Sequence, residues 1–79
     1  MSESADPVVL DLAGLKCPLP ALKTRKALRG LEPGRRIAVI CTDLLAAIDI
    51  PNLLRETGDV LESVEITDGH RRFIIRKAP

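Results

Sequence analysis

The sequence predicts an α+β fold, a two-layer α/β sandwich of order βαβαββ, in which a mixed four-stranded sheet carries two helices on one face. Three observations lead there. Short β-branched runs alternate with two stretches of helical apolar spacing, at 20–31 and 44–57. The pair Asp68-Gly69, favoured in two-residue hairpin turns, separates the last two apolar runs. At 79 residues the chain has room for one domain with one modest core, because so short a chain buries only about 60–65% of its unfolded surface. With 46% hydrophobic and 29% charged residues but one phenylalanine and no tyrosine or tryptophan, that core must be aliphatic.

Residues 1–7 are acidic and rich in small side chains and are expected to form a flexible tail, leaving 8–79 as the single domain. They lack the basic start and apolar run of a secretory signal. No stretch approaches the roughly 18 apolar residues of a membrane span, so no membrane association is expected. Val8-Val9-Leu10-Asp11-Leu12 is β-branched at its start and meets Gly14, which predicts a first strand. From Pro20 to Leu31 the spacing is helical: Ala21, Thr24, Ala27, Leu28 and Leu31 share one side, and Lys23, Arg25, Lys26 and Arg29 make a basic outer face. Gly30 and the Glu32-Pro33-Gly34 turn end it. Arg36 to Cys41 is a nearly continuous apolar run, typical of an interior strand.

Thr42-Asp43 then reads as a helix N-cap. Pro51 leaves two readings of the second helix: one kinked helix from Leu44 to Thr57, or a short turn ending at Ile48 with Asp49 capping a fresh helix. Both turn Ala47, Ile50 and Leu54 inward. Gly58 suits a C′ position, and strands Val60–Thr67 and His70–Lys77 flank the hairpin turn. The right-handed crossover rule puts each strand-to-helix junction at one rim of the sheet. Ile40 and Ile74 fall on the face without helices, where an apolar patch would favour a dimer or a partner; the expectation is a monomer or weak dimer.

The chemistry concentrates in Gly14-Leu15-Lys16-Cys17-Pro18-Leu19-Pro20. Here a strand stops, a lysine precedes a thiol, and two prolines follow before a helix. Pro18 and Pro20 lack N–H groups, and a residue before proline is pushed out of the αR region, so the approach to the helix is stiff and Cys17 stays accessible. Free N–H groups at Leu19 and Ala21, the positive helix end, Lys16 and the basic helix face are expected to favour the thiolate, lowering the Cys17 pKa by about one unit. The single imidazole, His70, belongs to the distant hairpin and reads as solvent-facing. A Cys-His pair is therefore not expected, and no CxxC partner stands near Cys17. Two thiols and one histidine are too few for a structural zinc site, so no metal is expected. Such a thiol suits carrying a group better than running a multi-step reaction. Cys41 reads as a core residue.

The segment 10–20 resembles the CPxP signature of the TusA/SirA-like sulfur carriers. Pro33-Gly34, Thr42-Asp43, Asp49-Ile50-Pro51 and Ile75-Arg76-Lys77 fall at that family's spacings, so the resemblance spans residues 8 to 77. It implies the same βαβαββ sandwich, and a carrier without a cofactor in place of an enzyme, with Cys17 accepting sulfane sulfur as a persulfide and relaying it to an acceptor protein. Pro18 and Pro20 match the motif's prolines, Arg25 and Lys26 a basic pair presented to a partner, and Asp43 an acidic residue on the same rim, although a plain helix cap explains Asp43 equally well. Leu19 replaces a glutamate typical of the thiouridine-pathway carrier, and Leu44 replaces a proline often found after the aspartate. With Leu22 one turn on, Leu19 forms an expected apolar docking spot beside the thiol. The implied partners are a sulfur donor, a cysteine desulfurase or rhodanese, and a sulfur acceptor in tRNA thiolation, cofactor assembly or sulfur oxidation. The expected compartment is the reducing cytoplasm.

Two other readings use the same residues. A regulatory or adaptor module would leave the thiol incidental. An RNA-binding module would use Arg71, Arg72, Arg76 and Lys77, but with a net charge of +1 and Phe73 as the lone aromatic, no direct nucleic-acid contact is expected.

Overall fold

The apolar runs form strands and the helically spaced stretches form helices, in the order β1 (Val8–Asp11), α1 (Leu19–Arg29), β2 (Arg36–Cys41), α2 (Leu44–Thr57), β3 (Val60–Thr67) and β4 (His70–Arg76). This computed structural model describes residues 7–79, so the expected tail lies, apart from Pro7, outside the described residues. The sheet order is β1-β2-β4-β3: β1 and β2 are parallel, while β4 lies antiparallel between β2 and β3. The βαβαββ sandwich read from the sequence is the architecture observed.

The core follows from alternation along the central strands. Ile37 stands opposite Ile75 and Val39 opposite Phe73, and with Cys41 these side chains meet Leu28 of α1 and Ala46, Ile50 and Leu54 of α2. Each fully buried side chain of this size is worth about 1.5–3 kcal/mol. On α1, Thr24 and Leu28 are buried as expected, while Ala27 and, just past the end of the helix, Leu31 pack partly against the core. Ala21 is only half-buried, and Pro20, absent from the expected stripe, is buried in its place.

α2 runs unbroken through Pro51, so the continuous reading holds and Asp49 is not a cap. The interior proline costs about 3 kcal/mol. Burial of Ala46, Ile50, Leu53 and Leu54 on one side of the helix offsets more than that. The helix ends at Gly58, whose φ of +82° suits the left-handed C′ position. Asp68 and Gly69 both have positive φ, 49° and 80°, as the two central residues of a type I′ turn require. On the helix-free face Ala38 pairs with Ile74 and Ile40 with Arg72. Glu62 binds Arg36 at 2.6 Å and Arg76 at 3.0 Å there.

Candidate functional site

Because β1 and β2 are parallel, the loop after β1 and the turn after β2 leave the sheet at the same rim. The Leu12 N–H still donates to the Ile40 carbonyl, at 2.8 Å, and the chain then turns at Gly14, where φ is +85°. Two side chains of the β2–α2 turn clip this loop in place. Thr42 Oγ1 accepts the Gly14 N–H at 2.9 Å, and Asp43 Oδ2 accepts the Cys17 N–H at 2.7 Å. Asp43 occupies the N-cap position of α2 with extended backbone, yet its side chain makes no capping hydrogen bond. The plain-cap reading therefore gives way: the carboxylate holds the backbone of the thiol-bearing residue.

The sulfur has a partner that the sequence reading did not assign. The half-buried Cys17 thiol donates to Asp49 Oδ2 at 2.6 Å. Of the two expected donors, the Leu19 N–H is engaged elsewhere, donating to the Lys16 carbonyl at 2.9 Å. The hydrogen bond to Asp49, partial burial, and the negative charges of Asp49 and Asp43 all favour the protonated thiol, so the Cys17 pKa is raised. This reverses the expected lowering. A full carboxylate charge in contact outweighs a helix end worth about half an elementary charge. The signal available in the sequence is Asp49-Ile50-Pro51, whose aspartate is a helix cap in only one of the two sequence readings of this segment.

The other expected residues divide. Pro18 sits exposed at the N-cap position of α1, joined to Cys17 by a cis peptide bond, and Pro20 is buried in the first turn. Lys16 is exposed. Leu19 and Leu22 are exposed, as are Leu44, Leu45 and Ile48 in the opening turns of α2. Arg25 and Lys26 do not form one patch. Arg25 lines a groove of about 190 Å³ with Ala21, Leu22, Asp49 and Asn52, where it binds Glu56 of α2 at 2.8 Å. Lys26 lines a different groove, with Leu10 and Leu31. Adjacent helical positions differ by about 100° around the axis, which separates them.

Cys41 is buried in the core. His70 follows Thr67-Asp68-Gly69 and, by register, lies one position beyond Arg71, the partner of Cys41, so the hairpin stands at the same end of the sheet as the thiol loop and is less distant than expected. Its ring nevertheless lines a groove on the helix-free face with Ile40 and Arg72, and its Nδ1 lies 3.1 Å from the Asp68 carbonyl. Among the described residues no group of three or more His, Cys, Asp or Glu side chains is placed to hold a metal ion. The thiol's hydrogen-bond partner is a carboxylate, and the arrangement can pass a proton between sulfur and oxygen while the sulfur faces the rim.

Comparison with known proteins bears on the family and the fold. The family described as Sulfurtransferase TusA matches residues 8–77. A sulfur carrier protein TusA from Allochromatium vinosum is 35% identical over 69 residues, covering 87% of this chain and 91% of that protein. A relative from Aquifex aeolicus, whose name ends in "sulfur carrier protein", is 41% identical over 69 residues; those residues are 87% of this chain and only 35% of the relative's length. The crystal structure of a SirA-like protein from Desulfitobacterium hafniense superposes with a TM-score of 0.79 at 23% identity, covering 91% of this chain and 99% of that one, and so shares the fold. Matched over nearly its whole described length by one family, and by relatives of more than a third identity, this chain belongs to the TusA family.

Proposed function

We propose that this chain is a sulfur carrier whose Cys17 takes up sulfane sulfur as a persulfide and passes it to an acceptor protein. Family membership together with an accessible thiol at the rim, held by Asp43 and facing Asp49, carries the reading. In the loading step the Cys17 sulfur bonds to the outer sulfur of a donor persulfide. The donor's S–S bond breaks, and its electron pair leaves on the donor thiolate, which takes up a proton. The transferred sulfur keeps its oxidation state, so no external oxidant or reductant enters. Unloading repeats the exchange with the acceptor's thiol.

The exposed Leu19, Leu22, Leu44, Leu45 and Ile48 give donor and acceptor an apolar contact around the sulfur, and the two partners use it in turn. The donor is a protein persulfide, on a cysteine desulfurase or a rhodanese. No cofactor takes part in this reading; the cargo is the sulfur itself. Among the described residues no helix is long and apolar enough to cross a membrane, and thiol exchange of this kind belongs in a reducing compartment such as the cytoplasm.

The test is intact-mass spectrometry after incubation with a PLP-dependent cysteine desulfurase and free cysteine. Wild type gains the mass of one sulfur atom, removable by dithiothreitol, and Cys17→Ser gains none. Absence of the adduct on wild type, or its persistence in Cys17→Ser, would refute the assignment.

A further inference from the structure

We propose that Asp49 is the residue that accepts the Cys17 thiol proton as sulfur is taken up, so that the carrier is loaded from its protonated state without first releasing a free thiolate. The inference rests on the carrier reading and assigns a role to a residue which that reading leaves idle.

The geometry carries it. Asp49 Oδ2 stands 2.6 Å from the sulfur, within reach of direct proton transfer, and a base must first satisfy that condition. Its carboxylate also lines the groove between the helices, which leaves it open to a partner approaching the thiol. The amide of the thiol residue is tied separately to Asp43, so the sulfur is presented to Asp49 by an anchored backbone. Asp49 and Asp43 both favour the protonated thiol, while Arg25 and Glu56, paired with each other, are the charged groups that line the groove with Asp49. A thiol so held is a poor nucleophile in the free protein and resists adventitious alkylation and oxidation, because reactivity follows the thiolate.

Reaction with a persulfide removes the difficulty within one step. As the Cys17 sulfur bonds to the outer sulfur of the donor, the S–H bond breaks and its proton passes to Asp49 Oδ2. The donor's S–S bond breaks, the donor thiolate departs with the electron pair, and the proton held on Asp49 goes to that thiolate. The sum is donor persulfide plus thiol giving donor thiol plus Cys17 persulfide, with Asp49 returned to its carboxylate. With an alkylator such as iodoacetamide the carbon stays on the sulfur and iodide departs without taking up a proton, so the return of the proton from Asp49 to the leaving group has no counterpart there and the rate follows the thiolate population.

The experiment compares wild type with Asp49→Asn, using glutathione persulfide as a donor that needs no docking surface and iodoacetamide as the alkylator. Loading is followed by mass, from about pH 6 to pH 8. Because the donor's own S–H ionises in this range, the readout is the ratio of each variant's loading rate to wild type at the same pH, in which the donor cancels. With an internal acceptor in wild type, the Asp49→Asn rate lies about tenfold or more below wild type at the acid end and gains on it by about tenfold per pH unit, because attack in the variant waits for bulk deprotonation. Alkylation of Cys17 in the same variant rises several-fold. Asp49→Glu, which keeps a carboxylate on the groove wall, keeps a pH-independent ratio to wild type, and thermal melts establish that each variant is folded. A pH-independent ratio for Asp49→Asn, or an unchanged alkylation rate, overturns the inference and leaves the carrier reading standing. Failure of wild type to load from any persulfide overturns the carrier reading itself.

Discussion

Asp43 stands at the head of α2, yet its carboxylate accepts the backbone N–H of Cys17 at 2.7 Å and makes no capping bond to its own helix. One side chain thus ties the β2–α2 turn to the loop that carries the thiol, across 26 positions of sequence. A hydrogen bond to a charged acceptor contributes about 1.5–3 kcal/mol net, and its loss falls on the donor left behind. Asp43→Ala is therefore expected to destabilise the fold by about 1.5–2 kcal/mol, the lower part of that range because the pair is only partly buried. Amide exchange read by NMR should quicken at least about tenfold at Cys17 while the first-turn amides of α2 keep their rates. Faster exchange confined to α2 would restore the capping role.

The two thiols differ in access and alike resist ionisation. Cys17 is held protonated by Asp49, partial burial and Asp43, in that order of environment, and Cys41 chiefly by burial in the core, with Asp43 adding to it. Iodoacetamide should therefore modify Cys17 alone in the native protein, with a rate–pH midpoint above that of an ordinary thiol, and Cys41 only after denaturant is added. Counting adducts by mass checks this; two adducts at native rates would contradict the burial of Cys41.

Thr24 is fully buried on the inner face of α1, and its Oγ1 has no hydrogen-bond partner among the described residues. A buried hydroxyl left unpaired costs about 1–3 kcal/mol, and valine has nearly the same shape without it. Thr24→Val is expected to stabilise by about 1 kcal/mol, raising Tm by about 4–8 °C for a domain of this size. A calorimetric scan showing a lower Tm would mean that the hydroxyl is paired after all.

Glu62 lies between Arg36 and Arg76 on the helix-free face. The hydrogen bond from Arg36 and the charges of both arginines hold its carboxyl below the usual carboxylate range, against a smaller opposing effect of burial. A carboxyl with a lowered folded-state pKa contributes stability above its unfolded pKa and loses it as pH falls through the folded value. Glu62→Gln should accordingly lower Tm near neutral pH, with the gap to wild type closing as pH drops below the ordinary glutamate range. A gap that does not change with pH would assign the effect to shape instead of charge.

Much of the frame was legible because its causes are local. Arg36–Cys41 and Val60–Thr67 stand at the boundaries their apolar runs indicate, and Asp68-Gly69 makes the turn its φ preferences demand. β4 ends at Arg76, one residue before the expected Lys77, and α1 ends at Arg29 although Leu31 still packs on the core. Packing and helix geometry need not stop at the same residue. The path of α2 through Pro51 was undecided in the sequence, because a proline's local cost is set against burial that only the assembled sandwich provides.

The site divides in the same way. The heptapeptide around Cys17 marks the reactive atom, since two prolines and a strand end act on the residues next to them. Its protonation state belongs to the folded molecule, because Asp49, 32 positions away, reaches the sulfur only when α2 packs beside α1. A carboxylate in contact governs a thiol more strongly than a helix end does, and contact between residues so far apart in the chain is made by tertiary structure alone.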